Sequence, residues 1–196
     1  MLREGVVEDV RAKRTDKLLL SALIELTVQK GFAAVTVSDL TKYAGINRAT
    51  FYRHYQDKFE LLNHYAQTVY ELLDSLPDAY LPMPADVSAR PAPSGLVAIF
   101  DHIWANARFY RVMLGPNGES VFADTVRQYV KKRIWRSLSA ALQRDISAVD
   151  LYLSYSSSAS IGAVLWWLDH DMPCSAEEMA AISYQVSMTL ATLIVR

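Results

Sequence analysis

Between Arg48 and Tyr55 the chain reads Arg-Ala-Thr-Phe-Tyr-Arg-His-Tyr, and Lys58 follows three residues later. Guanidinium, imidazole, ammonium, hydroxyl and phenol groups are all hydrogen-bond donors. Such donors suit phosphate oxygens and base edges, and an arginine can meet a guanine edge through two bonds at once. Phe51 and Tyr55 lie four apart, the spacing of one helix face, and are expected to pack inward. Arg48, Ala49, Thr50, Tyr52, Arg53 and His54 fall on the other faces. The surrounding charge agrees with a polyanion partner. Arg11 to Lys58 holds nine basic and four acidic residues, a net +5, while the whole chain of 196 residues sums to -1.

These residues need a scaffold, and the neighbouring sequence supplies one. Leu19, Leu20, Leu23, Leu26 and Thr27 recur at helical spacing after Thr15-Asp16. Lys30 ends that stretch, Gly31 offers a left-handed exit, and Phe32 can fold back on the helix. Thr36-Val37-Ser38-Asp39 has the form of a capping box. It opens a short helix whose face is Val37, Leu40, Thr41 and Ala44, and Gly45 stops it. Asn47 is a strong N-cap for the helix that begins at Arg48. Asp57 and Glu60 open a fourth helix carrying Leu61, Leu62 and Tyr65. Two short helices joined by a glycine-containing turn make a helix-turn-helix, whose second helix reads the major groove. Thr50, Tyr52, His54 and Lys58 are suited to phosphate, and the helix starts at Thr36 and Asn47 can present free amides to it.

The run Gly31-Phe32, Thr36-Val37, Leu40, Ala44-Gly45-Ile46-Asn47-Arg48-Ala49-Thr50-Phe51-Tyr52-Arg53-His54-Tyr55, Lys58 and Leu61-Leu62 resembles the DNA-binding domain of TetR/AcrR-family transcriptional regulators. The resemblance covers about Thr15 to Leu62. It implies that Arg48 and Ala49 face bases and that Thr50, Tyr52, His54 and Lys58 hold the DNA backbone. Thr36, Ser38, Lys42, Asn47 and Arg53 complete the expected contact set. Asn47 stands where the family often has Ser, and both cap well. Ala49 stands where Gly is common, and its methyl bears on how closely the helix approaches the bases.

Proline is absent from Met1 to Leu76, and five of the seven prolines then fall between Pro77 and Pro93. That spacing predicts helices with one extended connector. The expected organisation is an arm over 1–14, a helix-turn-helix domain over 15–60, a connecting helix over 61–76, a linker over 77–93 and a helical body over 94–196. The fold class is all-α with about nine helices: a three-helix DNA-binding head and a ligand-binding and dimerisation body. In the body, Ser94, Ser120, Ser147 with Asp150, and Ser175 with Glu178 mark helix starts, and Gly115-Pro116-Asn117-Gly118 marks a turn. The second of these helices is expected to run from about Ser120 to Leu142, with Lys131, Lys132, Arg133 and Arg136 as a solvated basic cluster.

The body resembles the C-terminal half of TetR-like regulators, in particular the branch near dihydroxyacetone-kinase-type regulators. Asn106 with Phe109-Tyr110-Arg111, Met113-Leu114-Gly115, Gly162 with Trp166-Trp167-Leu168, and Met172-Pro173 with Glu177-Glu178-Met179-Ala180 carry the likeness. It implies a homodimer in which the last two helices form a four-helix bundle across a two-fold axis. The interface residues expected are Tyr155, Ser158, Ala159, Gly162, Trp166, Ile182, Val186, Leu190 and Leu193. A small-molecule effector, hydrophobic or aromatic, is expected in a cavity lined by Phe100, Ile103, Trp104, Met113, Tyr129, Tyr155 and Trp166.

Other function classes fit poorly. A chain that is 52% hydrophobic and 21% charged is not of disordered composition. The single cysteine, Cys174, rules out an internal disulfide and a Cys-rich zinc site, and a reducing, cytoplasmic setting is expected. The longest apolar run, Ala159 to Leu168, is too short for a membrane span. His64, His102 and His170 are scattered, and Asp169-His170-Asp171 reads as a helix end. With no phosphate loop, paired metal ligands or nucleophile constellation, no catalytic residue, metal or cofactor is expected. The expected function is a ligand-responsive repressor that binds a pseudo-palindromic operator in double-stranded DNA as a dimer. The alternative is a TetR-like coactivator that works through a protein partner.

Overall fold

The computed structural model describes residues 2–75, 91–137 and 146–194. The linker residues 77–90 and the ends of two expected apolar stripes, Leu138 with Leu142 and the Leu193 side chain, lie outside the described residues.

Among the described residues the secondary structure is helical. The order is α1 (Leu2–Lys30), a 3-10 turn (Phe32–Ala34), α2 (Val37–Ala44), α3 (Arg48–His54), α4 (Lys58–Ser75), α5 (Ser94–Ala105), α6 (Ala107–Met113), α7 (Ser120–Ser137), α8 (Ile146–Asp169) and α9 (Ala176–Ile194). The stretch 1–14, expected as an arm, is helical from Leu2 and runs on into the helix expected from Thr15. Ser147, expected to cap α8, lies inside its first turn instead, and Asp150 takes the Lys131 ammonium at 2.6 Å.

The short helices of the head hold because their ends are satisfied locally. The Thr36 hydroxyl accepts from the Asp39 amide, and the Asp39 carboxylate accepts from the Thr36 amide at 2.9 Å. Gly45 closes α2 in the left-handed conformation, at φ 66° and ψ 31°. Gly31 also has positive φ, 76°, but its ψ of 148° makes an extended exit that aims Phe32 into the core. Ser175 and Glu178 form the predicted box before α9, with amide bonds of 2.8 and 3.2 Å.

Head and body share one apolar core. Leu19, Leu23, Phe32, Leu40, Phe51 and Leu61 of the head join Phe100, Phe109, Met113, Trp167 and Met179 of the body. A second, smaller cluster of Val149, Tyr152, Leu153, Tyr184, Met188 and Ala191 lies between α8 and α9. In the body α5 packs along α9, α7 along α8 and α8 on α9, while α6 bridges α1 and α8.

The junction between head and body is specific. The Phe32 amide donates to the Asn117 carbonyl at 2.9 Å, and the Arg108 side chain pairs with Glu25 of α1. Asn117 is presented by a tight turn. A Cβ on Gly118 would stand 2.3 Å from the Met113 carbonyl oxygen, and one on Gly115 would stand 2.5 Å from that of Arg111. On the other side of α6, the Tyr65 hydroxyl of α4 donates to Asn106 at 3.2 Å, and its ring meets Phe109 edge-on at 4.4 Å.

Candidate nucleic-acid interface

Helix α3 is seven residues long, too short to be stable alone, so tertiary anchors must hold it. Phe51 is fully buried, and Tyr55 is buried with its hydroxyl donating to Asp16 of α1 at 2.8 Å. Burial, with Asp16 beside it, pushes the Tyr55 phenol well above its ordinary range, so it stays a neutral donor. At the other end, Asn47 Oδ1 accepts from the Ala49 amide at 2.9 Å. With one face pinned this way, Arg48, Ala49, Tyr52 and Arg53 are exposed together. The Arg48 guanidinium donates to the Tyr52 hydroxyl at 3.4 Å and lies 6.0 Å from the centre of its ring. The two exposed donors therefore support one another one turn apart.

Helix α2 packs against α1 and α3, buries Leu40 and Thr41, and leaves Ser38 and Lys42 exposed. Thr36 is exposed, but its hydroxyl is already bonded to Asp39 at 2.5 Å. Asp39 also holds Lys30 at 2.6 Å. The bonds from Lys30 and Thr36 keep its carboxyl well below the usual carboxylate range. Thr50 and His54 are half-buried at the edge of α3. Tyr43, beside Lys42 on α2, is half exposed and was not among the residues expected from sequence. Its place beside Lys42, at the margin of the Leu40 face, was the available signal.

Lys58 departs from the sequence expectation. Its ammonium donates to the carbonyls of Phe32, Ala33 and Val35 at 2.8, 2.9 and 2.9 Å. All three N–H donors are thereby used. The cation also stands 4.7 Å from the Phe32 ring centre and 5.3 Å from that of Phe59. Partial burial lowers its pKa from the ordinary lysine value. Here Lys58 closes the turn that leads into α2. A phosphate at this ammonium would have to displace a carbonyl.

The body contains a cavity of about 180 Å³ between α4, α5, α6, α7, α8 and α9. Of the effector residues expected from sequence, Phe100, Ile103 and Tyr129 line it. Met113 is fully buried in the core beside it, and Trp104, Tyr155 and Trp166 are 45%, 61% and 50% exposed. These three share helical faces with core residues but lie on the outward side, which periodicity alone does not distinguish. The residues that sequence missed include Tyr70, Tyr110, Arg133 and Ser183. Arg133 is only 8% exposed, in contrast to the solvated cluster expected over 131–136.

The expected dimer residues lie together on the outside of α8 and α9. Tyr155, Ser158, Ala159, Gly162 and Trp166 are exposed on α8, as are Ile182 and Val186 on α9, with Leu190 half-buried. Leu151 extends the same stripe and is 63% exposed. A Cβ on Gly162 would meet nothing within 4 Å in this single chain.

Comparison with known proteins agrees with this geometry. The family model for bacterial regulatory proteins of the tetR family matches residues 19–65, and that for a transcriptional regulator C-terminal region matches residues 92–188. An uncharacterized HTH-type transcriptional regulator of Bacillus subtilis, YxbF, is 30% identical over 175 residues, or 88% of this chain and 44% of that protein. An uncharacterized HTH-type regulator of Mycobacterium tuberculosis is 26% identical over 121 residues, 60% of each chain. The chain thus spans about half the length of the curated relatives it matches. Two solved structures share the fold at a TM-score of 0.61. One is the dihydroxyacetone kinase operon activator DhaS, 17% identical over 91% of this chain and 97% of that one. The other is a TetR transcriptional regulator from Streptococcus agalactiae 2603V, 20% identical over 98% of this chain and 99% of that one. These proteins are regulators of transcription and not enzymes.

Proposed function

Because this chain belongs to the TetR family of bacterial transcriptional regulators, we propose that it binds a pseudo-palindromic operator as a homodimer and is released by a small molecule held in its body. The observation that carries the reading is the state of α3. Its inward face is locked by Phe51 and Tyr55, and its outward face presents Arg48, Ala49, Tyr52 and Arg53 to solvent. In this reading Arg48 and Ala49 meet base edges. Thr50, Tyr52, Arg53, His54, Ser38 and Lys42 hold phosphates. Tyr43 joins them. Thr36 and Lys58 position the helices through bonds within the protein, and Asn47 does so through its Oδ1.

Dimerisation follows from the exposed apolar stripe of α8 and α9. A second copy related by a two-fold axis would cover Leu151, Tyr155, Trp166, Ile182 and Val186, and Gly162 would allow two α8 backbones to come close. The two copies of α3 would then enter successive major grooves, about 34–36 Å apart. The same contact set weighs against a coactivator that never touches DNA, because cations and hydroxyl donors grouped on the outward face of a capped helix suit phosphates and base edges.

Release needs a route from the cavity to α3, and the packing supports one. Phe109 and Tyr110 of α6 form part of the cavity wall. The turn after α6 holds Phe32 through Asn117, and Lys58 ties the Phe32–Val35 carbonyls to α4. A ligand that favours a displaced α6 would therefore favour a displaced head. The direction of control, repression or activation, depends on where the operator lies relative to its promoter. The structural relative DhaS is named an activator.

The test is selection of genomic DNA fragments by the purified protein at physiological salt, followed by footprinting of the enriched site. The expected result is a palindromic site with one half-site per protomer, and Arg48→Ala should relax one position in each half by about 1–3 kcal/mol. Enrichment no better than random competitor would overturn the reading.

A further inference from the structure

Resting on the reading of the body as an effector domain, we propose that its cavity takes a compact neutral carbonyl compound, a ketone or an ester, whose oxygen atoms accept from the Tyr70 and Ser183 hydroxyls. Both residues line the cavity, Tyr70 from α4 and Ser183 from α9. Both hydroxyl oxygens are shielded from solvent and have no hydrogen-bond partner among the described residues. Other hydroxyls of the wall are already engaged. Tyr129 donates to Asp74 at 3.1 Å, Ser160 donates to the Ser156 carbonyl at 2.8 Å, and Ser187 Oγ lies 2.9 Å from the Tyr152 hydroxyl. A buried hydroxyl without a bond costs free energy, which an acceptor on a ligand recovers. A carbonyl oxygen has two lone pairs and no hydrogen of its own, so it satisfies donors without burying another.

The wall favours an uncharged guest. Arg133 is the one charged residue among the described residues that line the cavity, and it is engaged within the protein. Its guanidinium donates to the Tyr129 hydroxyl, which donates in turn to the Asp74 carboxylate. Asp74 also takes Arg136 at 2.7 Å, and that bond, with the Arg133 charge behind it, holds its carboxyl below the ordinary carboxylate range. An anion would have to break this chain to be received, and a cation meets no carboxylate in the described wall. An ion taken from water without a partner loses far more than a neutral group does. Burial pushes the Tyr70 phenol up to about 12, so it remains a neutral donor at neutral pH.

Size and shape limit the apolar body. A dry protein cavity of about 150 Å³ holds benzene, so about 180 Å³ suits a single substituted ring and excludes a long-chain thioester or a polycyclic drug unless the helices move apart. Tyr70 and Tyr129 stack at 4.7 Å and 14°, and Phe109 meets Phe122 edge-on at 5.5 Å. A wall made of ring faces and edges packs well on an aromatic body.

The experiment is calorimetric titration of the full chain with acetophenone, benzoate, benzamidine and ethylbenzene, which are similar in size and differ in charge and in acceptor. Acetophenone is expected to bind about tenfold or more tightly than benzoate or benzamidine. Tyr70→Phe keeps a ring against Tyr129 and should weaken acetophenone about three- to tenfold, with ethylbenzene unchanged or tighter. Ser183→Ala should shift the two ligands in the same sense. In the free protein Tyr70→Phe breaks no bond, so its thermal midpoint should stay level or rise. Three results overturn the proposal: benzoate or benzamidine binding as tightly as acetophenone, equal losses for acetophenone and ethylbenzene in both variants, or a lowered midpoint for free Tyr70→Phe. The selected operator fragment, added in a second arm, separates the two readings. Acetophenone that binds through Tyr70 but leaves the DNA complex intact supports the carbonyl site and overturns the effector role. Intact, salt-sensitive operator binding with no preference for acetophenone overturns the carbonyl site alone.

Discussion

Replacing Lys58 by methionine separates two physical roles for one residue. The substitution keeps an unbranched stem against the Phe32 and Phe59 rings and removes the three N–H donors to Phe32, Ala33 and Val35. A charge-assisted hydrogen bond contributes about 1.5–3 kcal/mol where it is desolvated, and partly exposed ion contacts fall to about 1 kcal/mol or less. The Phe32 and Val35 carbonyls are part-buried and the Ala33 bond is exposed. Because one ammonium serves all three, the bonds do not add, and a net loss of about 2–3 kcal/mol is expected. With a urea m-value of about 2–3 kcal/mol/M, the unfolding midpoint should fall by about 1 M. Circular dichroism at fixed protein concentration measures this. The second readout is the slope of log affinity for the operator against log salt. A residue that binds no phosphate leaves that slope unchanged, whereas loss of one phosphate contact flattens it by about 0.9. A variant with an unaltered midpoint and a slope flattened by that amount would refute the clamp and return Lys58 to the DNA.

Two further substitutions probe the dimer and the junction. Gly162→Glu adds a charged side chain where a Cβ meets nothing in the single chain, so the protomer should keep its helicity while sedimentation velocity shows a monomer with weakened operator binding; a persistent dimer would place the interface elsewhere. Gly118→Ala puts a Cβ 2.3 Å from the Met113 carbonyl oxygen and 2.7 Å from that of Val112, both backbone atoms that cannot step aside. A loss of about 2–4 kcal/mol in thermal or urea unfolding is expected, with faster hydrogen exchange at the Phe32 amide, and an unchanged stability would show that the turn is looser than its geometry implies.

What could be read before any coordinates were known was what neighbours along the chain decide. The boxes at Thr36–Asp39 and Ser175–Glu178, the Asn47 cap and the Gly45 stop involve residues two to four apart, so their bonds follow from spacing and chemistry. The inward turn of Phe51 and Tyr55 followed from helical period, and with it the outward set on α3. Tertiary packing decided the rest. Whether Lys58 faces DNA or carbonyls depends on a turn some 25 residues upstream. Whether Arg133 is solvated like its neighbours or walls a cavity depends on how α7 is rotated against α4 and α8. Long cationic side chains can satisfy either setting, and Trp104, Tyr155 and Trp166 are as apolar outside the body as inside it. Sequence period identifies which residues share a face. Which face meets a neighbour is settled only when helices distant in the chain exclude water between them.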